Sequence, residues 1–365
     1  MKKRVLALLC SFTLATALIG CGGNSAGNET AEQPQAAEES EPEAAAEETP
    51  ASKEAAESTS GEEIVIRLAD VQAENDVETQ FEYKFAELVS EKSGGRIKVE
   101  VYPAGQLGEM ADILNSVQMG ALEMCRTNPS WLADLGAESM NLLSLPFVFE
   151  DLESANKVLD GEVGGQMLQE LVDKNLGVRG LGYLQPSGRY FFFVDDEVSS
   201  LTDINNLKLR VPTNSLATSM VESLGASATP ISYNELYSSL QTGIVDGADN
   251  PLKGILNMSF FEVSKYVLDM AHQYEASLIL INDNFWNKLS AEDQEIIQAS
   301  MDEAGAYYKE IADAELDGYR LALEEKGMVF VEPDDVQEWK DAVQPMYAEY
   351  SKGYEDLLQA IIDAQ

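Results

Sequence analysis

A repeated switch of hydrophobic period between residues 64 and 125 restricts what this chain can fold into more than any other feature. Ile64 to Ala69 is a β-rich run, and Asp70 to Asp76 follows it as a polar loop. Val77 to Ser93 then takes helical spacing, placing Phe81, Phe85, Leu88 and Val89 on one face before the stop at Gly94-Gly95. Arg96 to Val101 alternates as a second strand, Tyr102-Pro103-Ala104-Gly105 turns, Glu109 to Met119 is helical, and Leu122 to Cys125 is a third strand. Strands that alternate with helices are joined by right-handed crossovers, so the expected class is α/β with a mostly parallel sheet.

Beyond Cys125 the third strand runs into Arg126-Thr127-Asn128-Pro129, a loop at a carboxyl strand end. Helical segments from Leu152 to Asn175 precede the apolar strand Val178 to Tyr183. A second apolar run, Tyr190 to Val194, has Ser187-Gly188-Arg189 at its entrance, and the first crossing between domains is placed there. Leu207-Lys208-Leu209-Arg210-Val211 alternates, Pro212 ends it, and a helix-like run covers Asn214 to Leu224. Arg210 thus stands at the carboxyl end of a strand, where open α/β sheets place their ligands. Two readings are open for it: a holder of a carboxylate, or an ordinary solvated arginine on a sheet edge. Ala228 to Ile231 is a short strand, Tyr233 to Gln241 a helix, and the run from Ile244 ends in Asp249-Asn250-Pro251, a side-chain amide at a tight turn. Ser277 to Ile281 is a buried strand, Glu292 to Leu323 one extended helix, and Asp334 to Ala364 largely helical. Late helices of this length brace two-domain bodies.

The chain has 365 residues, 45% of them hydrophobic, enough for two domains once tails are removed. Acidic residues outnumber basic ones 64 to 24, for a net charge of -40, which argues against nucleic acid and against any broad anionic partner. A small anion needs a local basic pocket, so a few buried arginines carry unusual information here.

Lys2, Lys3 and Arg4 precede an apolar run, Val5 to Ile19, that is too short for a membrane span and reads as a signal peptide over residues 1–20. Leu18-Ile19-Gly20-Cys21 resembles the bacterial lipobox, in which cleavage before the cysteine leaves a thiol that carries lipid. Cys10 leaves with the leader, and Cys125, in an apolar strand-like run, is read as a small core residue, so no disulfide is expected. Residues 21–62 are rich in Glu, Ala, Ser, Thr, Gly and Pro and read as an acidic tether that lifts a folded module off the membrane surface.

Motifs for chemistry are sparse. His272 is the only histidine, no Gly-x-Ser-x-Gly elbow occurs, and neither Cys-x-x-Cys, His-x-x-x-His nor EF-hand spacing is present. Phosphate cradles of the Walker and dinucleotide types are absent as well. Ser154-Ala155-Asn156-Lys157 matches Ser-x-x-Lys without its partner motifs and is taken as chance. His272 is expected to make a structural hydrogen bond near a strand end. No catalytic residue, metal or cofactor is assigned.

Several ordered motifs carry a resemblance: Pro103-Ala104-Gly105-Gln106-Leu107-Gly108, Leu145-Pro146-Phe147-Val148-Phe149, Asp203 to Pro212, and Glu235 to Gly243 running into Val245-Asp246-Gly247-Ala248-Asp249-Asn250. From about Ile64 onward the chain resembles the solute-binding proteins of tripartite ATP-independent periplasmic (TRAP) transporters, of the dicarboxylate-binding DctP type, in a lipoprotein form. The resemblance implies a two-domain periplasmic-binding-protein-like α/β fold with a ligand cleft between domains. Its expected bounds are 63–187 plus about 276–320 for the first domain and 188–275 plus about 321–365 for the second. It also implies the site: Arg210 forms a bidentate bridge to the solute carboxylate, Arg189 is a second cleft arginine, Asn250 ends the Asp-Gly-x-x-Asn motif, and Tyr233 covers the solute. Gln72, Arg126 and Asn128 are expected to face the cleft from the first domain.

The implied function is capture of a small carboxylate solute outside the cytoplasm by a monomer anchored through Cys21, with delivery to the small and large TRAP membrane subunits. Arg126-Thr127-Asn128, Gly188-Arg189 and the His272 segment look similar to members that take sugar acids such as glucuronate or galacturonate. Those members commonly carry Glu-Asn-Asn where this chain has Asp249-Asn250-Pro251. A C4-dicarboxylate such as malate or succinate is the runner-up solute. An enzyme acting on a sugar acid, and an adhesin or structural lipoprotein, are the rival classes.

Overall fold

The computed structural model describes residues 63–365, apart from the side chains of residues 315–317. The expected leader, Cys21 and the tether lie outside the described residues. Strands β1 (Ile64–Ala69), β2 (Ile97–Tyr102) and β3 (Met124–Thr127) alternate with helices α1 (Val77–Lys92) and α2 (Met110–Gln118), as the period switching requires. Then come α3 (Pro129–Asp134), α4 (Leu152–Leu159), α5 (Glu162–Asp173), β4 (Val178–Phe193), β5 (Lys208–Val211), α6 (Ser215–Ser223), β6 (Ser227–Pro230), α7 (Leu236–Gln241), β7 (Gly247–Pro251) and α8 (Leu252–Asn257). The chain closes with β8 (Tyr266–Leu268), β9 (Gln273–Asn282), α9 (Asp283–Trp286), α10 (Ala291–Glu325), β10 (Val329–Val331), α11 (Val336–Tyr350) and α12 (Glu355–Asp363).

One sheet runs through the body in the order β2-β1-β3-β9-β4-β7-β5-β6, with β8 joined to β4 and β10 to β8. Its two flanks, β2-β1-β3 and β7-β5-β6, are parallel. Its centre is not, because β9 runs antiparallel to both β3 and β4, and β4 antiparallel to β7. The mostly parallel expectation therefore describes the flanks, and two long strands stitch them together. The two apolar runs expected as separate strands at 178–183 and 190–194 are one 16-residue strand. Pro186 lies between the two runs, but register shifts between Gly180 and Gly182 and between Leu184 and Ser187 accommodate it without ending the strand. Another correction concerns Arg126 and Thr127, which belong to β3 rather than to the loop after it, with Asn128 capping α3.

Burial on both faces explains why β4 and β9 look continuously apolar. Phe191 and Phe193 enter one hydrophobic cluster and Phe192 another, and Leu278 and Leu280 alternate in the same way with Ile279 and Ile281. Helix α1 buries Phe81, Phe85, Leu88 and Val89 against Ile66 and Leu68 of β1, with Phe81 meeting the Tyr308 ring edge-on at 6.1 Å. Helix α10, 35 residues and roughly 50 Å long, places Ile297, Met301 and Tyr308 in that cluster and Leu323 in the one around Phe192. It thereby braces both flanks.

Candidate functional site

The carboxyl ends of the two parallel flanks point at each other and enclose a cavity of about 100 Å³. That holds roughly seven to ten waters at the least space each needs, which suits one small solute and no polymer. Val71 and Gln72 reach it from the end of β1, Glu109 from the turn after β2, and Arg126 and Asn128 from the end of β3. The other flank supplies Arg210 from β5 and Pro212 just after it, Ser232 and Tyr233 from the turn after β6, and Asp249 and Asn250 from β7. Arg189 of β4 and Glu275 of β9 enter between them. All seven solute-contact residues expected from sequence line this one cavity.

The three arginines differ in what surrounds them. Arg126, 1% exposed, donates from Nε and Nη2 to Asp70 Oδ1 at 2.9 and 2.7 Å, from Nη1 to Ser277 Oγ at 3.1 Å, and lies 3.6 Å from Glu78 Oε2. Arg189 donates from Nε to Asp249 Oδ2 at 2.7 Å, from Nη1 to Glu275 Oε2 at 2.9 Å and from Nη2 to the Asp249 carbonyl at 3.2 Å. Arg210 is 4% exposed, and its Nε donates to the Ile231 carbonyl at 2.8 Å. Its terminal nitrogens meet no acid: among the described residues it is the one arginine outside every ion pair. Burial, opposed by the charge of Asp249 and reinforced by Arg189, lowers its pKa to about 10.

The carboxylates respond to the same arrangement. Burial alone would push Asp249 up, but Arg189 and His272 bring it below its ordinary range. Burial raises Glu275 in spite of Arg189. His272 does not line the cavity. It stacks on Phe191 at 4.2 Å, its Nε2 lies 3.4 Å from Asp249 Oδ2 without hydrogen-bond alignment, and the hydrogen bonds it makes beside β9 are main-chain ones: its N–H donates to the Arg189 carbonyl at 3.1 Å and its carbonyl accepts from the Phe147 N–H at 2.8 Å. Burial lowers its pKa and keeps it neutral.

Tyr233 and Asn250 form a polar edge. Asn250 Nδ2 donates to Tyr233 Oη at 3.1 Å, and the Arg210 guanidinium lies 5.7 Å from the Tyr233 ring centre. Asn128 Nδ2 is occupied by the Ala276 carbonyl at 3.0 Å. At the cavity mouth Asn234 Nδ2 donates to Glu109 Oε1 at 3.1 Å and lies against Gly105, where a Cβ would sit 2.5 Å from that nitrogen. Gly105 has φ 68°, so its turn favours glycine on conformational grounds too.

Sequence reasoning passed over Asp249 and Glu275, the two acids that take up Arg189. Asp249 stands inside a run already singled out, one residue before Asn250. Glu275 had no signal, being one of 64 acidic residues.

A buried guanidinium without a counter-ion, facing a cavity between two sheet flanks, defines a protein that binds a small anion. Comparison with known proteins agrees. Residues 68–353 match the model of bacterial extracellular solute-binding protein family 7, DctP, and the chain belongs to that family. It is a TRAP solute-binding component. The C4-dicarboxylate-binding periplasmic protein DctP of Rhodobacter capsulatus is 28% identical over 80% of this chain and 87% of its own length. A TRAP periplasmic solute-binding protein of Bradyrhizobium, solved in complex with α/β-D-galacturonate, superposes with TM-score 0.78 at 31% identity, covering 82% of this chain and 99% of that one. The sugar acid binding protein of Advenella mimigardefordensis, solved in complex with galactonate, superposes with TM-score 0.79 at 27% identity over 83% of this chain and 98% of that one. The family is extracellular, and no described helix is long and apolar enough to cross a membrane.

Proposed function

We propose that this chain captures one polyhydroxylated organic acid, of the uronate and aldonate class, and releases it to TRAP membrane subunits without chemical turnover. The observation that carries this reading is Arg210: a buried guanidinium whose terminal donors face the cavity with no acid to receive them. A solute carboxylate supplies that acid and completes a planar, two-bond fork in a site where the low local dielectric strengthens it. Tyr233 and Asn250 flank the fork. Gln72 adds an amide, and Arg189, using three of its five N–H groups internally, keeps two for the solute. Arg126 and Asn128 contribute the wall that holds this geometry.

The proposed division of the body runs through the central strands, with 63–187 plus about 276–320 on one side and 188–275 plus about 321–365 on the other. Closure of the two sides around solute forms the surface that the membrane subunits read. The protein is proposed to be a monomer anchored by lipid on Cys21, the acidic tether spacing it from the membrane. A C4-dicarboxylate is the second reading, favoured by the likeness to the Rhodobacter capsulatus protein.

Thermal unfolding against uronates, aldonates, C4-dicarboxylates and neutral sugars tests the assignment. A solute at a hundred times its dissociation constant adds about 2.7 kcal/mol. Stabilisation by hydroxylated acids, absent in Arg210→Ala, is the expected result. Stabilisation by dicarboxylates alone moves the solute, and no shift with any acid rejects solute capture at this cavity.

A further inference from the structure

Charge in the cavity nearly cancels, and one wall residue decides the remainder. Arg126 is neutralised from behind by Asp70, and the second acid near it, Glu78, is matched by Lys253 at 3.1 Å. Arg189 meets two carboxylates, Asp249 and Glu275, so that group carries an excess negative charge. His272 behind it is held neutral by burial. Glu275 sits on β9 at the cavity wall, where Oε2 accepts from Arg189 Nη1 at 2.9 Å and Oε1 from Ser130 Oγ at 3.3 Å. A carboxylate has about four lone-pair positions, so these two bonds leave acceptor capacity at the wall. An acceptor-only group recognises hydroxyls and repels a second carboxylate.

We propose that Glu275 sets the charge of the solute: it occupies Arg189, leaving Arg210 as the cavity's single uncompensated cation, and its free lone pairs accept from solute hydroxyls. The cleft then selects polyhydroxylated monoanions and rejects their dicarboxylate counterparts. Glu109 at the mouth adds to the same field. This inference rests on the solute-capture reading above and names the property of the solute that the site measures.

Calorimetric titration of the protein at pH 8 with matched pairs tests it: galacturonate against galactarate, and glucuronate against glucarate. Wild type is expected to favour the monoanion of the pair it binds by about tenfold or more, and Glu275→Gln to shrink that ratio by about tenfold. Equal affinity of wild type for both members of a pair overturns the proposal without needing the variant to fold, and so does an unchanged ratio in Glu275→Gln. If Arg210→Ala abolishes binding of both members while wild type shows equal affinity, solute capture stands and only the role of Glu275 falls. If no acid of the panel binds wild type, both fall together.

Discussion

Arg126 and Arg210 occupy equivalent places on opposite flanks of one sheet, each at the carboxyl end of a parallel strand and each buried, and their surroundings are opposite. Arg126 sits in a closed network. Asp70 and Glu78 take its charge, Ser277 Oγ donates to Glu78 at 2.5 Å, and Lys253 of α8 reaches Glu78 at 3.1 Å and Asp76 at 3.5 Å. Burial opposes ionisation of Glu78, but Arg126 and Lys253 hold its pKa down at about 2. Arg210 has one carbonyl and an aromatic ring. The difference teaches how to read such a cleft: a buried charge with all its partners supports the fold, and one whose partners are withheld is kept for a ligand.

Arg126→Ala is the strongest way to test that comparison. It strands Asp70 and Glu78 in the interior, and breaking a buried pair costs about 3–5 kcal/mol. The midpoint of thermal unfolding should fall by on the order of ten degrees with no solute present. Arg210→Ala should behave in the opposite sense. It removes an uncompensated buried charge, so unliganded stability stays within about 1 kcal/mol of wild type. Solute binding weakens about ten- to two-hundredfold, the worth of a charge-assisted hydrogen bond. Arg210→Lys recovers only part, since an ammonium lacks the planar fork. A large stability loss in Arg210→Ala with intact binding would erase the distinction.

Much of this was legible beforehand, for identifiable reasons. Periodicity exposed the parallel flanks, because each strand there is short and bounded by loops. It failed at β4, where Pro186 lies between two apolar runs of one strand, and so hid the antiparallel centre. Arg210 stood out because cations are scarce in this chain and alternation placed it at a strand end. That Arg126 and Arg189 would be paired internally was invisible. Their partners Asp70, Asp249 and Glu275 belong to a large acidic majority, and which acids approach which arginines is decided by strands distant in sequence.

Glu82 sharpens the comparison on the closed side. It is fully buried, and neither of its oxygens meets a donor. Burial first, and then the charge of Asp70, push its pKa well up against the pull of Arg126, so it retains its proton. The unfolded chain ionises Glu82 near pH 4.3. Above that value the unfolded state has lost a proton that the folded state keeps, so stability declines with rising pH until the folded pKa is passed. Glu82→Gln stays neutral and loses this slope, of at most about 1.4 kcal/mol per pH unit. Melting curves from pH 5 to 8 should show the variant gaining on wild type as pH rises. Parallel curves would mean that Glu82 is ionised throughout.

The smallest expected effect probes the open side, where Tyr233 offers Arg210 a ring and Asn250 a hydroxyl. Burial raises the Tyr233 pKa to about 12, against the hydrogen bond from Asn250, so the phenol is neutral at any physiological pH. Tyr233→Phe keeps the ring 5.7 Å from the guanidinium and removes only the acceptor for Asn250 Nδ2. One neutral hydrogen bond contributes about 0.5–1.5 kcal/mol, so affinity should fall about two- to tenfold while the dependence on Arg210 remains. Tyr233→Leu also removes the ring's negative face, which steadies a buried cation that has no acid beside it, and should cost more. The ordering Leu below Phe below wild type in a calorimetric titration is therefore the outcome that assigns the aromatic face, rather than the hydroxyl, to holding Arg210 ready. Equal losses in the two variants would transfer that role to the Asn250 hydrogen bond.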